Sequence, residues 1–139
     1  FSSKSNVICI ALKKDESVKN ILPNIFSVID FSKGEVLRII QGGLSIKLIV
    51  DEHNLKKVLE IIPKQIIINT MKGLAELDVV FSEESVKTPG LVSVVVNELS
   101  SNGINMEEVL TCVPELIILI NENDFLKTMK IFYKLIKEI

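Results

Sequence analysis

The side chains that most often perform catalysis are few in this sequence, and they do not form a set. His53 is the only histidine and stands beside Glu52, where we expect it to be exposed to solvent. Cys9 and Cys112 lie in separate apolar segments, so we interpret both as reduced core residues and not as a disulfide or a metal site. The adjacent pair Glu107-Glu108 falls in a predicted strand, where neighbouring side chains point to opposite faces. We therefore predict no enzymatic activity, no metal and no cofactor.

A second group of residues favours binding. Thr88-Pro89-Gly90 precedes a helical pattern, and the start of a helix offers free N–H groups and partial positive charge to a carboxylate. Gly90 would let a ligand approach the backbone closely, and Asn105 offers an amide to an ammonium group. We predict a ligand among Lys87, Thr88, Pro89, Gly90, Leu91, Asn105 and Met106. An alternative is that these residues have a structural role and bind no ligand: Pro89-Gly90 begins a helix and Asn102-Gly103 ends it.

The elements that would position these residues occur twice. At a shift of 70 residues, Ile46–Glu52 aligns with Leu116–Glu122, and Val7–Ala11 aligns with Leu77–Phe81, without a gap. The two halves share few identical residues, but their apolar residues fall at the same positions. A repeat of this length predicts two copies of one supersecondary unit. We therefore divide the chain into a first module, residues 1–72, and a second module, residues 73–139.

The periodicity predicts a βαββαβ order in the first repeat. Its predicted elements are strand Val7–Leu12, helix Asn20–Phe31 with Pro23 in the first turn, strand Glu35–Gln41, a turn at Gly42-Gly43, strand Leu44–Val50, a helix capped by Asp51 or Asn54 and running to Ile62, and strand Gln65–Asn69 ending before Lys72-Gly73.

The second repeat predicts βαββα. Its elements are strand Leu74–Ser82, a helix with Thr88 as N-cap and Pro89 at its first position, an end at Asn102-Gly103, strand Ile104–Cys112, a turn at Val113-Pro114, strand Glu115–Ile120, and a helix capped within Asn121–Asp124 that runs to about Lys137. The fold class is therefore α+β, a ferredoxin-like βαββαβ tandem repeat of antiparallel sheets with helices on one face.

The segment Leu74 to Leu135 resembles an ACT domain. The resemblance rests on Gly73-Leu74-Ala75-Glu76-Leu77, Thr88-Pro89-Gly90-Leu91, Asn102-Gly103-Ile104-Asn105-Met106, and Leu116–Ile120 followed by Glu122–Asp124. As a tandem pair, the chain is similar to the C-terminal regulatory ACT pair of aspartokinases. The resemblance implies binding of an amino acid or a similar small metabolite, usually at an interface between modules, and assembly into a homodimer.

The first repeat departs from this pattern, since Lys19-Asn20 stands in place of Pro89-Gly90 and Lys33 in place of Gly103. We treat it as a degenerate ACT-like module and expect one competent site per chain, or none. The predicted function is regulatory binding of an amino acid in the control of amino-acid metabolism. Two alternatives stay open: a dimerisation or assembly module without ligand, and the detached regulatory region of an aspartokinase-like enzyme or a transcriptional regulator.

Composition excludes some other classes. The net charge is −2, whereas nucleic-acid binding usually needs a strongly basic face. The longest apolar runs, such as Leu116–Ile120, are too short to span a bilayer. We therefore expect no direct nucleic-acid binding, no membrane insertion and a cytoplasmic location.

Overall fold

The computed structural model describes the backbone of residues 1–138 and the side chains of residues 1–136. The chain forms two compact units. The first, which we call the N-terminal module, is Asn6–Gly73. The second, the C-terminal module, consists of Phe1–Ser5 together with the chain from Leu74 onward.

The N-terminal module is a βαββαβ unit. Its elements are β1 (Ser2–Leu12, of which the part from Asn6 belongs to this module), α1 (Val18–Val28), β2 (Leu37–Gln41), β3 (Ile46–Asp51), α2 (Leu55–Ile61) and the first part of β4 (Ile67–Val80). The sheet order is β2-β3-β1, with antiparallel pairing throughout. The N–H of Lys13 donates to the carbonyl of Ile66 at 2.8 Å, which places the start of β4 beside the end of β1.

The core of this module follows from alternation along the strands. Ile8, Ile10 and Leu12 share one face of β1 and are completely buried, together with Ile25 of α1 and Val58 of α2. Burying each such side chain stabilises the fold by about 1.5–3 kcal/mol relative to exposing it.

The C-terminal module repeats this plan. Its elements are the second part of β4, the short helix α3 (Glu83–Val86), α4 (Leu91–Ser101), β5 (Met106–Cys112), β6 (Glu115–Asn121) and α5 (Phe125–Glu138). The sheet order is β4-β6-β5, again antiparallel. Leu77, Ile118 and Phe132 are buried in its core. The ring of Phe1 lies 5.5 Å from the rings of Phe132 and Tyr133, measured between centroids, so the first residues of the chain pack on α5.

The observed order of elements confirms the predicted tandem ferredoxin-like fold. The sequence predicted that one strand ends before Lys72-Gly73 and another begins at Leu74, and this is wrong, because β4 continues from Ile67 to Val80 without interruption. The boundary between the two units therefore falls inside strands, between Ser5 and Asn6 on β1 and between Gly73 and Leu74 on β4. Asn6 on β1 and Gly73 on β4, the residues at this boundary, both adopt positive φ, 56° and 71°, a backbone region that glycine adopts readily and asparagine tolerates.

Two predicted helix starts are wrong. The helix expected from Thr88 begins at Leu91, after Gly90 in the left-handed region with φ 81°. Thr88 is not its cap, because its hydroxyl donates to the carbonyl of Glu84 at 3.5 Å. A local signal explains the difference: Ser82 accepts from the N–H of Ser85 at 3.1 Å and caps a separate short helix, α3.

The other start is that of α1, which begins at Val18 and holds Pro23 inside the helix instead of in its first turn. Asp15 accounts for the early start, because its carboxylate accepts from the N–H and hydroxyl of Ser17 at 2.9 and 2.6 Å. Burial of Val18 and Ile21 offsets the hydrogen bond that Pro23 cannot donate.

The predicted turns and the C-cap are confirmed. The N–H of Gly42 donates to the carbonyl of Ser45 at 2.9 Å in the β2–β3 hairpin, and Val113-Pro114 forms the β5–β6 turn. Gly103 has φ 76°, and the next N–H, that of Ile104, donates to Leu99 at 3.0 Å. The interpretation of Cys112 as a core residue is wrong, since it is exposed at the end of the edge strand β5, whereas Cys9 is buried. Within the described residues, no helix is both long and apolar enough to cross a bilayer.

His53 has a partner that the sequence did not suggest. Its side chain is 62% exposed, yet its Nε2 lies 2.6 Å from Oε2 of Glu35. Oε1 of Glu35 accepts from the backbone N–H of Asp30 at 2.8 Å and from the amide of Asn54 at 3.0 Å. The N–H of Asp30, then Asn54, then His53 lower the pKa of Glu35 from 4.5 to about 2. This carboxylate joins the segment before β2 to the start of α2.

We expect the Glu35→Gln variant to lose stability in a pH-dependent way. Because the folded pKa is lowered, the contribution of the carboxylate is present above pH 4.5 and is lost as pH falls towards about 2. The difference in the free energy of unfolding between wild type and variant should therefore shrink over that range, as measured by urea denaturation. Glu60→Gln, at an exposed position on α2, is the control, and the same pH course in both variants would contradict the assignment.

Gly103→Ala should destabilise the chain by about 1–2 kcal/mol, because an L-residue is strained at positive φ. Gly43→Ala is a matched control: a Cβ there meets nothing within 4 Å and a Cβ at Gly103 meets only Lys127 Nζ at 3.9 Å, but the φ of Gly43 is not in the left-handed region. Urea denaturation of both variants measures the difference. Equal losses of stability in the two variants would show that the positive φ of Gly103 is not the cause.

Candidate ligand-binding site

Two loops meet at one end of the C-terminal sheet. β4 ends at Val80, which pairs with Glu115 at the beginning of β6. The next N–H, that of Phe81, donates to the carbonyl of Pro114 in the β5–β6 turn at 2.9 Å. Residues 81–90 and residues 111–115 are thereby held side by side.

These loops line a cavity of about 160 Å³ that is open to solvent on one side. The residues that line it are Phe81, Ser85, Val86, Thr88, Gly90, Leu91, Val92, Thr111, Val113, Pro114 and Glu115. Phe81 is half-buried and also packs against the core of the module, which fixes its position. Val86, Val92 and Val113 are 40%, 39% and 72% exposed, so the cavity presents apolar side chains that the module itself leaves uncovered.

A wider opening of about 450 Å³ adjoins this cavity. It shares the wall of Phe81, Val86, Val113 and Pro114 and adds two charged side chains, Glu83 and Lys87. Glu83 and Lys87 are four residues apart across α3, so the opening offers one carboxylate and one ammonium group.

The polar groups of the loop mostly bond to each other. The hydroxyl of Ser82 donates to Oγ of Ser85 at 2.8 Å, and the hydroxyl of Thr88 donates to the carbonyl of Glu84. The first N–H groups of α4 have no acceptor within the helix, as at every helix start. The residues that line the cavity and the opening supply charges and backbone donors, but no nucleophile and base among them are in hydrogen-bond contact.

The structure brings some of the predicted site residues together and separates others. Thr88, Gly90 and Leu91 line the cavity and Lys87 lines the opening, while Pro89 lies between them in the loop. Asn105 and Met106 lie elsewhere. Met106 pairs with Ile120, at the opposite end of the sheet from Glu115, about 20 Å away at the rise of a seven-residue strand.

Asn105 and Met106 also have other contacts. The amide of Asn105 donates to Glu107 at 3.0 Å, and Met106 packs half-buried against the core. The hairpin residues, above all Val113 and Pro114, were not among the residues predicted to bind the ligand. The signal was available, because an antiparallel β4–β6 pair brings the β5–β6 turn to the end of β4.

We call the region between the end of the first strand and the start of the first helix of each module its corner. The corner of the N-terminal module is built differently from that of the C-terminal module. α1 begins three residues earlier in the repeat than α4, at Val18, which corresponds to Thr88. Val18 is 3% exposed and belongs to the core, whereas Thr88 is exposed. Asn20, the counterpart of Gly90, lies within the helix. In the part of the chain with described side chains, no group of three or more His, Cys, Asp or Glu residues is placed to hold a metal ion.

Known structures share this fold. The aspartate kinase of Clostridium acetobutylicum superposes with a TM-score of 0.74 at 22% identity, over 95% of this chain and 33% of that chain. The regulatory subunit of aspartate kinase from Thermus thermophilus, in a ligand-free form, gives a TM-score of 0.71 at 16% identity, over 96% and 93% of the two chains. The regulatory subunit from Thermus flavus gives 0.70 at 16% identity, over 96% and 94%. No family model and no curated protein matches the sequence.

These superpositions confirm the resemblance to the regulatory region of aspartokinases at the level of the fold. The chain spans almost the whole of the separate regulatory subunits. It spans about a third of the Clostridium kinase.

Cys112 offers a direct probe of the hairpin wall, because it stands between the lining residues Thr111 and Val113. We expect one thiol per native chain to react rapidly with a water-soluble thiol reagent, and the second, Cys9, to react only on unfolding. Cys112→Ser should remove the fast phase and Cys9→Ser should keep it. A native chain with no fast phase would contradict the exposed position of the hairpin.

Proposed function

We propose that the chain is a regulatory module that binds an amino acid or a similar small metabolite in the control of amino-acid metabolism, with the site at the cavity of the C-terminal module. The observation that carries the proposal is the apolar cavity beside an opening lined by one acidic and one basic side chain, Glu83 and Lys87. The fold shared with regulatory subunits of aspartate kinases supports it.

The chemistry of the corner suits an α-amino acid. Its carboxylate would accept from the first N–H groups of α4 and pair with Lys87. Its ammonium would pair with Glu83 at the opening or with Glu115, which lines the inner cavity. Gly90 has no side chain, and the space that a Cβ would occupy there is open, so a ligand can approach the backbone of Gly90 without obstruction.

We propose binding and not catalysis, because the lining residues supply charges and apolar surface but no activated group. The ligand would act through regulation of a partner. The chain would then work as the regulatory region of an aspartokinase-like enzyme or of a transcriptional regulator, and as a homodimer. An uncovered apolar wall at the cavity favours a site that the second chain of the homodimer completes.

A second function is favoured by exposed apolar side chains away from the cavity. Ile39 on the edge strand β2 and Val94 on α4 are 40% and 47% exposed, and Leu44 at the tip of the β2–β3 hairpin is 93% exposed. Such residues suit an assembly module that dimerises without a ligand. A chain that stays monomeric by light scattering at micromolar concentration would exclude this alternative.

Thermal unfolding in the presence of each common amino acid tests the proposed function. A ligand at 100 times its Kd should add about 2.7 kcal/mol of stability and raise Tm. Lys87→Ala should weaken binding roughly tenfold or more, because a charge-assisted hydrogen bond contributes about 1.5–3 kcal/mol. Lys130→Ala, at an exposed position on α5, should bind like wild type. Absence of a shift with every amino acid would refute the proposal.

A further inference from the structure

We infer that the amino acid bound at this site has an aliphatic or thioether side chain of about four non-hydrogen atoms, such as that of leucine, isoleucine or methionine. The inference rests on the proposed function, since it names the chemical class of ligand for the same cavity. It is carried by the lining of the cavity, its size and the position of its charges.

The wall of the inner cavity is apolar where a ligand side chain would enter. Phe81 and Leu91 lie on one loop and its helix, and Val113 and Pro114 face them from the hairpin. Two of the lining hydroxyls are already bonded within the loop, since Ser85 accepts from Ser82 and Thr88 donates to Glu84. A polar ligand side chain would lose its hydration against this wall with few partners in return.

The size of the cavity sets the length of the side chain. At about 160 Å³ the inner cavity is close to the volume that admits a benzene-sized molecule in a protein interior. A butyl, isobutyl or methylthioethyl group fits such a space, whereas an indole is too large.

One side chain of each charge stands at the outer opening, and a single carboxylate, that of Glu115, lines the inner cavity. Glu83 and Lys87 line only the outer opening, where they match the α-ammonium and α-carboxylate of a zwitterion. Glu115 is the charged residue at the inner cavity, and it lies at the end of β6 in register with Val80. A lysine ligand would have to carry its ε-ammonium through the apolar wall to reach Glu115, so lysine is the most informative competitor.

Matched pairs of amino acids test the inference by isothermal titration calorimetry on the full chain. Valine and threonine differ by a methyl and a hydroxyl group of similar size, and norleucine and lysine differ by the ε-ammonium. We expect valine to bind at least tenfold more tightly than threonine, norleucine at least tenfold more tightly than lysine, and leucine or methionine at least as tightly as valine.

A pair of variants ties the binding to the cavity. Val92 lines the cavity and Val94 does not, yet both lie on α4 and are 39% and 47% exposed. Val92→Phe should fill the cavity and weaken leucine binding at least tenfold, whereas Val94→Phe should leave it within twofold of wild type. Circular dichroism and Tm verify that both variants are folded.

The outcomes separate the inference from the proposed function. Tighter binding of threonine or lysine than of its apolar partner overturns the inference and leaves the regulatory binding role intact. Equal losses in the two valine variants, or none in either, overturn the assignment of the ligand side chain to this cavity. Binding of no amino acid removes both the inference and the proposed function.

Discussion

The antiparallel register of β4, β6 and β5 is the constraint on which the rest of the C-terminal module depends. β6 pairs with β4 from Leu74–Asn121 to Val80–Glu115, and the helix side of β6 buries Leu116, Ile118 and Ile120 completely. With the register set, the end of β4 and the β5–β6 turn must meet. The hydrogen bond from the N–H of Phe81 to the carbonyl of Pro114 then holds the two loops side by side, where they line the cavity.

The two modules show how one fold can be closed or open at the same corner. In the N-terminal module the helix starts early and its first residue, Val18, is buried in the core. In the C-terminal module a separate short helix and Gly90 delay the start of α4 and leave the corner exposed. The fold is shared with regulatory subunits of aspartate kinases, but the difference between the modules comes from a few local residues, above all Ser82 and Gly90.

Local patterns predicted most of the fold, because strand alternation, helical spacing and glycine punctuation report local structure directly. The same reasoning was weaker at the site, where long-range register decides which residues meet. Asn105 follows the predicted end of α4 closely in sequence but lies at the far end of the sheet from Gly90. Thr88-Pro89 is a sequence pattern typical of a helix start, and so is Ser82 upstream. In the structure it is Ser82 that caps a helix, the short α3. Spacing alone cannot rank two such signals.

Amide chemical-shift mapping by NMR during titration with leucine locates the binding site without a choice of variant. We expect perturbations concentrated in residues 81–92 and 111–115, where the cavity lies. Asn105 and the corresponding corner of the N-terminal module around Val18 should change little. Saturable perturbations centred on Asn105 or on Val18, with residues 81–92 unaffected, would contradict the open corner as the binding site.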